Sequence, residues 1–144
     1  MNPDNLNEPS FQARLKSLTR FVPAFIAPEF QFATLHKPPP EPSGLIELPY
    51  YELSPEASAF VAAAHKFGWV TWMQWSAWRG TERTRALMES PDRIGEATPD
   101  ELSRLLTVYI RGNRFNDGYL KSAFDSGVIV AIVKRAEDLL DDCP

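Results

Sequence analysis

Leu105-Leu106-Thr107-Val108-Tyr109-Ile110-Arg111-Gly112-Asn113-Arg114-Phe115-Asn116-Asp117-Gly118-Tyr119-Leu120 reads as the end of one amphipathic helix, a tight basic turn, and the start of another helix. Upstream, Leu102, Leu105, Leu106 and Tyr109 fall at i, i+3, i+4 and i+7, the apolar stripe of a helix resting on a core. At about 100° per residue, Arg104, Thr107 and Arg111 lie opposite that stripe. They are expected on a solvated polar face. Arginines within such a turn either staple packed helices or present charge to a partner. The favoured expectation is a divided one: Arg114 turned inward onto carboxylates or helix-end carbonyls, Arg111 outward and available. The competing expectation is a convergent patch of Arg111, Arg114 and Lys121 that holds a phosphate or an acidic surface.

Working outward, Thr98-Pro99-Asp100-Glu101 predicts a helix start with a capping box. Beyond the turn, a short helix is expected around Asp117–Ser126, with Asp117 as its cap and Gly127 closing it. A last helix carries Val128, Ile129, Ile132, Val133, Ala136 and Leu139 or Leu140. Its end is acidic, against the helix dipole, so it is expected to fray. Ser54-Pro55-Glu56 opens an earlier helix with Phe60, Ala63, Ala64 and Phe67 on one face and Gly68 to stop it. Trp69, Trp72, Trp75 and Trp78 follow at intervals of three, a spacing that drifts around a helix. This predicts an irregular or strand-like entry and then a helix from about Ser76 to Glu89. Core packing is the expected role for most of the four.

At the N-terminal end, Phe11, Leu15, Leu18 and Phe21 predict a helix over Ser10–Phe21, ended by Pro23 and Pro28. Residues 28–50 include Pro38-Pro39-Pro40, Pro42 and Pro49 and are expected to form an extended, polyproline-like wrap. Phe25, Phe30, Phe32, Leu45 and Ile46 would pin it to the body. The fold expected is mainly α: one domain over residues 1–144, with about five helices, the proline-rich wrap, and a flexible segment at 1–9.

The 144 residues suffice for one real core. A hydrophobic fraction of 44% and a charged fraction of 24% fit a globular protein, with no apolar run long enough to span a bilayer. Met1-Asn2-Pro3-Asp4-Asn5 lacks the basic flank and apolar stretch of a secretory signal, and Cys143 is the single cysteine. No disulfide framework is therefore possible, and a cytoplasmic setting is expected. The net charge is −4, which argues against a general nucleic-acid binder. Residues 98–135 nevertheless carry six basic and four acidic side chains, a local excess around the turn.

Motifs for the common catalytic chemistries are missing: there is no Walker loop, GxGxxG, HExxH or GxSxG. Neither His36 nor His65 has a cysteine or acid at metal-ligand spacing, and Cys143 sits in an acidic tail without an activating base. No catalytic residue, metal or cofactor is expected.

Three segments in this order carry a resemblance: Pro49-Tyr50-Tyr51-Glu52-Leu53-Ser54-Pro55-Glu56; Gly68-Trp69-Val70 with Trp75 and Trp78; and Leu106-Thr107, Arg111, Arg114-Phe115, Gly118, Leu120, Phe124 and Ser126-Gly127. Together the chain resembles the bacterial family called domain of unknown function 6508, over nearly everything after about residue 15. In that pattern an Asp often precedes the middle tryptophan, where this chain has Gln74, and a His often stands at Tyr119. The resemblance implies a shared fold and no particular activity.

The function expected is a non-enzymatic interaction module of the bacterial cytoplasm, of the accessory or inhibitory kind that mobile elements carry. Its partner would be another protein, not a membrane, met through Arg111, Arg114, Phe115, Lys121, Trp75 and Trp78. The alternative is a nucleic-acid or nucleotide binder using the local arginine patch.

Overall fold

The computed structural model describes residues 10–39, 42–44, 48–71 and 81–142. Helix α1, Phe11–Thr19, begins where the Ser10 side chain accepts from the Ala13 N–H and buries Leu15 and Leu18. As expected, α1 has ended before Pro23. Pro23 sits in the first turn of a second short helix, α2 (Val22–Phe25), where its missing N–H costs nothing.

The proline-rich wrap is corrected in part. Within it β1 (Ala33–His36) pairs antiparallel with β2 (Tyr50–Leu53), in the register Ala33 with Leu53 through His36 with Tyr50. The Ser54 N–H donates to Phe32 O and extends the ladder by one pair. Pro38, Pro39, Pro42 and Pro49 all fall in the connection, where a missing donor breaks no ladder bond. Of the expected pins, Phe25 and Phe32 are buried and Phe30 is half-buried, while Leu45 and Ile46 lie outside the described residues.

Helix α3, Pro55–Lys66, follows at once, capped by Ser54 through the Ala57 N–H. Gly68, at φ +76°, lets the chain leave it. Next come α4 (Glu82–Glu89), a 3-10 helix at Pro91–Glu96, and α5 (Pro99–Gly112). The capping box at the start of α5 is complete: Thr98 Oγ1 accepts from the Glu101 N–H, and Glu101 Oε1 accepts from the Thr98 N–H, each at 3.1 Å. Short α6 (Tyr119–Asp125) and long α7 (Val128–Asp141) close the fold, which is mainly helical. Helix α7 runs through Asp141.

One hydrophobic core joins these elements. Helix α7 is its hub, packing on α1, α2, α6 and the 3-10 helix through Val128, Ile129, Ile132, Val133 and Ala136. Phe21, Phe25, Phe60 and Phe124 meet mostly edge to face, while Phe32 stacks on Phe124 at 4.7 Å.

The polar face expected on α5 is also corrected. Ser103 and Thr107 are buried along with the apolar stripe, and only Arg104 of that side is exposed. Their partner is Trp69. Its carbonyl accepts from Ser103 Oγ at 2.6 Å and from Thr107 Oγ1 at 3.3 Å. Its indole N–H donates to Arg14 O and Ser17 Oγ, each at 3.1 Å. The segment after α3 is thus irregular, as expected, and fixed between α1 and α5 by one residue. Trp72, Trp75 and Trp78 lie outside the described residues, as does any helix before Glu82.

Candidate functional site

The turn between α5 and α6 is built by backbone. N–H groups of Asn113, Arg114, Phe115 and Asn116 donate to Tyr109, Arg111, Gly112 and Gly112 in turn, so α5 winds down in short overlapping loops. Asn113 Oδ1 then accepts from the Leu120 N–H at 3.1 Å and ties the turn to α6. Two glycines allow the close packing. A Cβ on Gly112 would stand 2.8 Å from the Tyr119 ring, and one on Gly118 would stand 2.7 Å from the Tyr51 ring. Gly118 also has φ +87°, a conformation that suits glycine alone.

Asp117 does not cap α6, whose N-cap is Gly118. Its Oδ2 accepts the Tyr51 N–H at 3.0 Å, filling the outer hydrogen-bonding position of β2. The turn and the hairpin are thereby locked together. This linkage sets Leu48 and Tyr50, 80% and 49% exposed, at the start of a strand that abuts the turn.

The expectation for Arg114 is overturned by this geometry. Arg114 is exposed and, among the described residues, its side chain makes no hydrogen bond or ion pair. It staples nothing. Arg111 is half-buried at the end of α5 and likewise has no such partner among the described residues. Between the arginines and Asp117 stands Phe115, 82% exposed. Lys121 does not join the arginines. Its ammonium pairs with Asp125 one helical turn on and lies 5.8 Å from the Tyr51 ring. Trp75 and Trp78, the remaining residues expected at the site, are outside the described residues.

The staples are other arginines. Arg14 donates from Nε to Phe67 O at 3.0 Å and lies over the Trp69 ring at 4.5 Å, and Arg135 donates to Ala97 O at 2.8 Å. Both meet carbonyls where the chain leaves a helix, as a guanidinium fork allows. Arg14 stands one residue before buried Leu15, at the edge of the α1 stripe. No pattern in the sequence pointed to Phe67.

On the other side of the hairpin, a cleft of about 360 Å³ opens between β1 and α6. Phe30, Phe32 and Phe124 line it with Ala33 and Leu35, and the Lys121–Asp125 pair borders it. His36 pairs with Glu52 across the hairpin and stacks on Tyr50, while His65 is exposed on α3. Among the described residues no three His, Cys, Asp or Glu side chains group as metal ligands. No helix among them is long and apolar enough to cross a membrane.

No curated protein and no solved structure shows significant similarity to this chain. A family model does match, across residues 11–142, which takes in the hairpin, the Trp69 node and the whole α5–α6 turn. The chain belongs to the family of unknown function DUF6508.

Proposed function

We propose that this protein is a non-enzymatic interaction module that meets an acidic surface of another protein through the α5–α6 turn. Phe115 carries the reading. It is an aromatic side chain, 82% exposed, on a turn held by backbone bonds, with Arg111 and Arg114 just before it in sequence. Aromatic and arginine side chains dominate binding hot spots: aromatics bury large areas with little loss of conformational entropy, and arginine offers a planar fork of donors that fits carboxylates. A rigid mount reduces the ordering cost further. Leu48 and Tyr50 extend the apolar part of the surface along β2. An accessory or inhibitory role in the bacterial cytoplasm, of the kind mobile elements encode, is the setting we assign to it.

The test is capture from bacterial lysate with the wild-type chain and with the Phe115→Ser/Arg114→Glu double variant. A protein recovered in stoichiometric amount by the wild type and lost with the variant supports the proposal. Identical recovery by both overturns it. Binding of a single-stranded oligonucleotide, lost with the same variant and weakened steeply by salt, would replace it with a nucleic-acid function.

A further inference from the structure

The cleft between β1 and α6 combines an aromatic wall with one ion pair. Phe32 is buried and stacks on Phe124, with ring centroids 4.7 Å apart, and Phe30 meets Phe124 edge to face at 5.6 Å. Phe30 and Phe124 are each half-buried, so the cleft of about 360 Å³ offers aromatic surface to solvent. Among the described residues, Lys121 and Asp125 are the charged side chains that line it. The ammonium is held from two sides, by Asp125 Oδ2 and by the Tyr51 ring at 5.8 Å. Asp125 Oδ1 has no hydrogen-bond partner among the described residues. An aromatic cleft with a few convergent polar groups is the usual form of a small-ligand site. The charges of the pair cancel, so an ionised ligand of either sign meets one repelling partner. The cleft suits a neutral, flat ring with hydrogen-bonding groups along one edge.

We propose that this cleft binds a guanine base, carried by a free nucleoside or mononucleotide. Lys121 only donates hydrogen bonds, and ionised Asp125 only accepts them. The complementary edge is one that sets an acceptor beside donors. On guanine, O6 takes the Lys121 N–H, while N1–H and the amino group donate to the two carboxylate oxygens of Asp125. Charge assistance strengthens each of these bonds. The other bases match less well. Adenine and cytosine bring a single donor group to the carboxylate. Uracil has its one N–H between two carbonyls, which turns an oxygen against the carboxylate. The ring rests on Phe30 and Phe124, a stacking contact open to any base, and the hydrogen bonds then select among them. Gln31 and Thr34, both exposed, complete the polar rim where the sugar emerges. Among the described residues no cation besides the paired Lys121 lines the cleft, so a phosphate adds nothing to the binding. The α5–α6 turn supplies no lining residue, and this site stands independently of the proposed function.

The test is an amide-detected NMR titration of the full chain with the monophosphates of guanosine, inosine and adenosine, and with guanosine itself. Guanosine monophosphate should give saturable shifts at the amides of Leu35, Lys121, Phe124 and Asp125, and guanosine should bind with the same affinity. Inosine monophosphate lacks the amino group and should bind about tenfold more weakly, the loss expected for one hydrogen bond to a charged acceptor. Asp125→Asn changes a carboxylate that is 56% exposed and leaves the packing alone, so it should abolish the preference for guanosine over inosine. Lys121→Met should weaken both alike, because both carry O6. Phe115→Ser should bind as the wild type does. Several results overturn the proposal: no saturable shift at these amides, equal affinity for the three mononucleotides, or an undiminished guanine preference in Asp125→Asn. Binding that requires the phosphate also overturns it. So does a guanine-containing trinucleotide that binds far more tightly than the mononucleotide, which would assign the cleft to a strand.

Discussion

Trp69 binds with every polar atom it has. Its carbonyl takes two hydroxyls from α5, its indole N–H reaches α1, and its ring carries the Arg14 guanidinium. Trp69→Phe should keep most of the buried area but remove the indole bonds to Arg14 O and Ser17 Oγ, which remain bonded to each other, at a cost of about 1 kcal/mol in urea unfolding. Arg14→Ala should cost about 1.5–3 kcal/mol, the range for hydrogen bonds from a charged donor. Arg114→Ala should leave the thermal midpoint within error of wild type, because nothing described in the fold depends on it. Equal destabilisation by the two arginine variants would contradict this division between a structural arginine and a surface one. Glu101 makes a further prediction. Its bond from Arg83 holds its carboxyl below the ordinary carboxylate range, with the Thr98 contacts acting in the same direction and burial acting against them. A depressed carboxylate contributes stability above its unfolded pKa and loses it as pH falls through the folded one. Thermal midpoints of the wild type should therefore fall on acidification through and below the carboxylate range, and Glu101→Gln should flatten that fall. An acid limb unchanged by the substitution would place the linkage elsewhere.

At the scale of elements, the starts of α3 and α5 were legible because capping is local chemistry. Ser54 and Thr98 each sit where a short oxygen can satisfy an orphan N–H, and each does so. The hairpin was not legible. Its two strands are four residues each, separated by a proline-rich connection, and the outer edge of β2 is tied down by Asp117, distant in sequence. Thr107 misled for a related reason. A hydroxyl on the far side of an amphipathic helix reads as solvated, yet here it faces the Trp69 carbonyl. Of the expected site, Phe115 and Arg111 were legible as turn residues, but the roles of Arg114 and Lys121 depended on contacts that spacing does not encode. Gly118 joins the two kinds of element. Gly118→Ala adds left-handed backbone strain, about 1–2 kcal/mol, to a clash with the Tyr51 ring. The combined loss should exceed that figure. In the Tyr51→Ala background the clash disappears and only the backbone cost remains, so a double-mutant cycle should show coupling between the two positions. Strict additivity would mean that the turn and hairpin do not press on each other.

For the whole molecule, the hydrophobic core and the hairpin divide the labour. The buried faces of α1, α5 and α7 meet in one core, with Ile132 and Leu106 fully buried. The hairpin closes over the side of that core through Phe32, Tyr51 and Asp117, and its solvent face carries Thr34, Tyr50 and Glu52. A two-stranded sheet is marginal by itself, so its order depends on what ties it down. Local opening should therefore cost less at the hairpin than at α7, where exchange requires global unfolding. Native-state hydrogen exchange should rank the amides accordingly, with Thr34 and Glu52 below Ile132. Asp117→Ala removes the tie to Tyr51 and should lower protection across both strands while leaving Ile132 nearly unchanged. If Asp117→Ala instead lowered both regions equally, the hairpin would be part of the global cooperative unit. The proposed contact surface would then rest on the rigid body of the fold, whereas a hairpin that opens separately would add its own ordering cost to any partner it meets along β2.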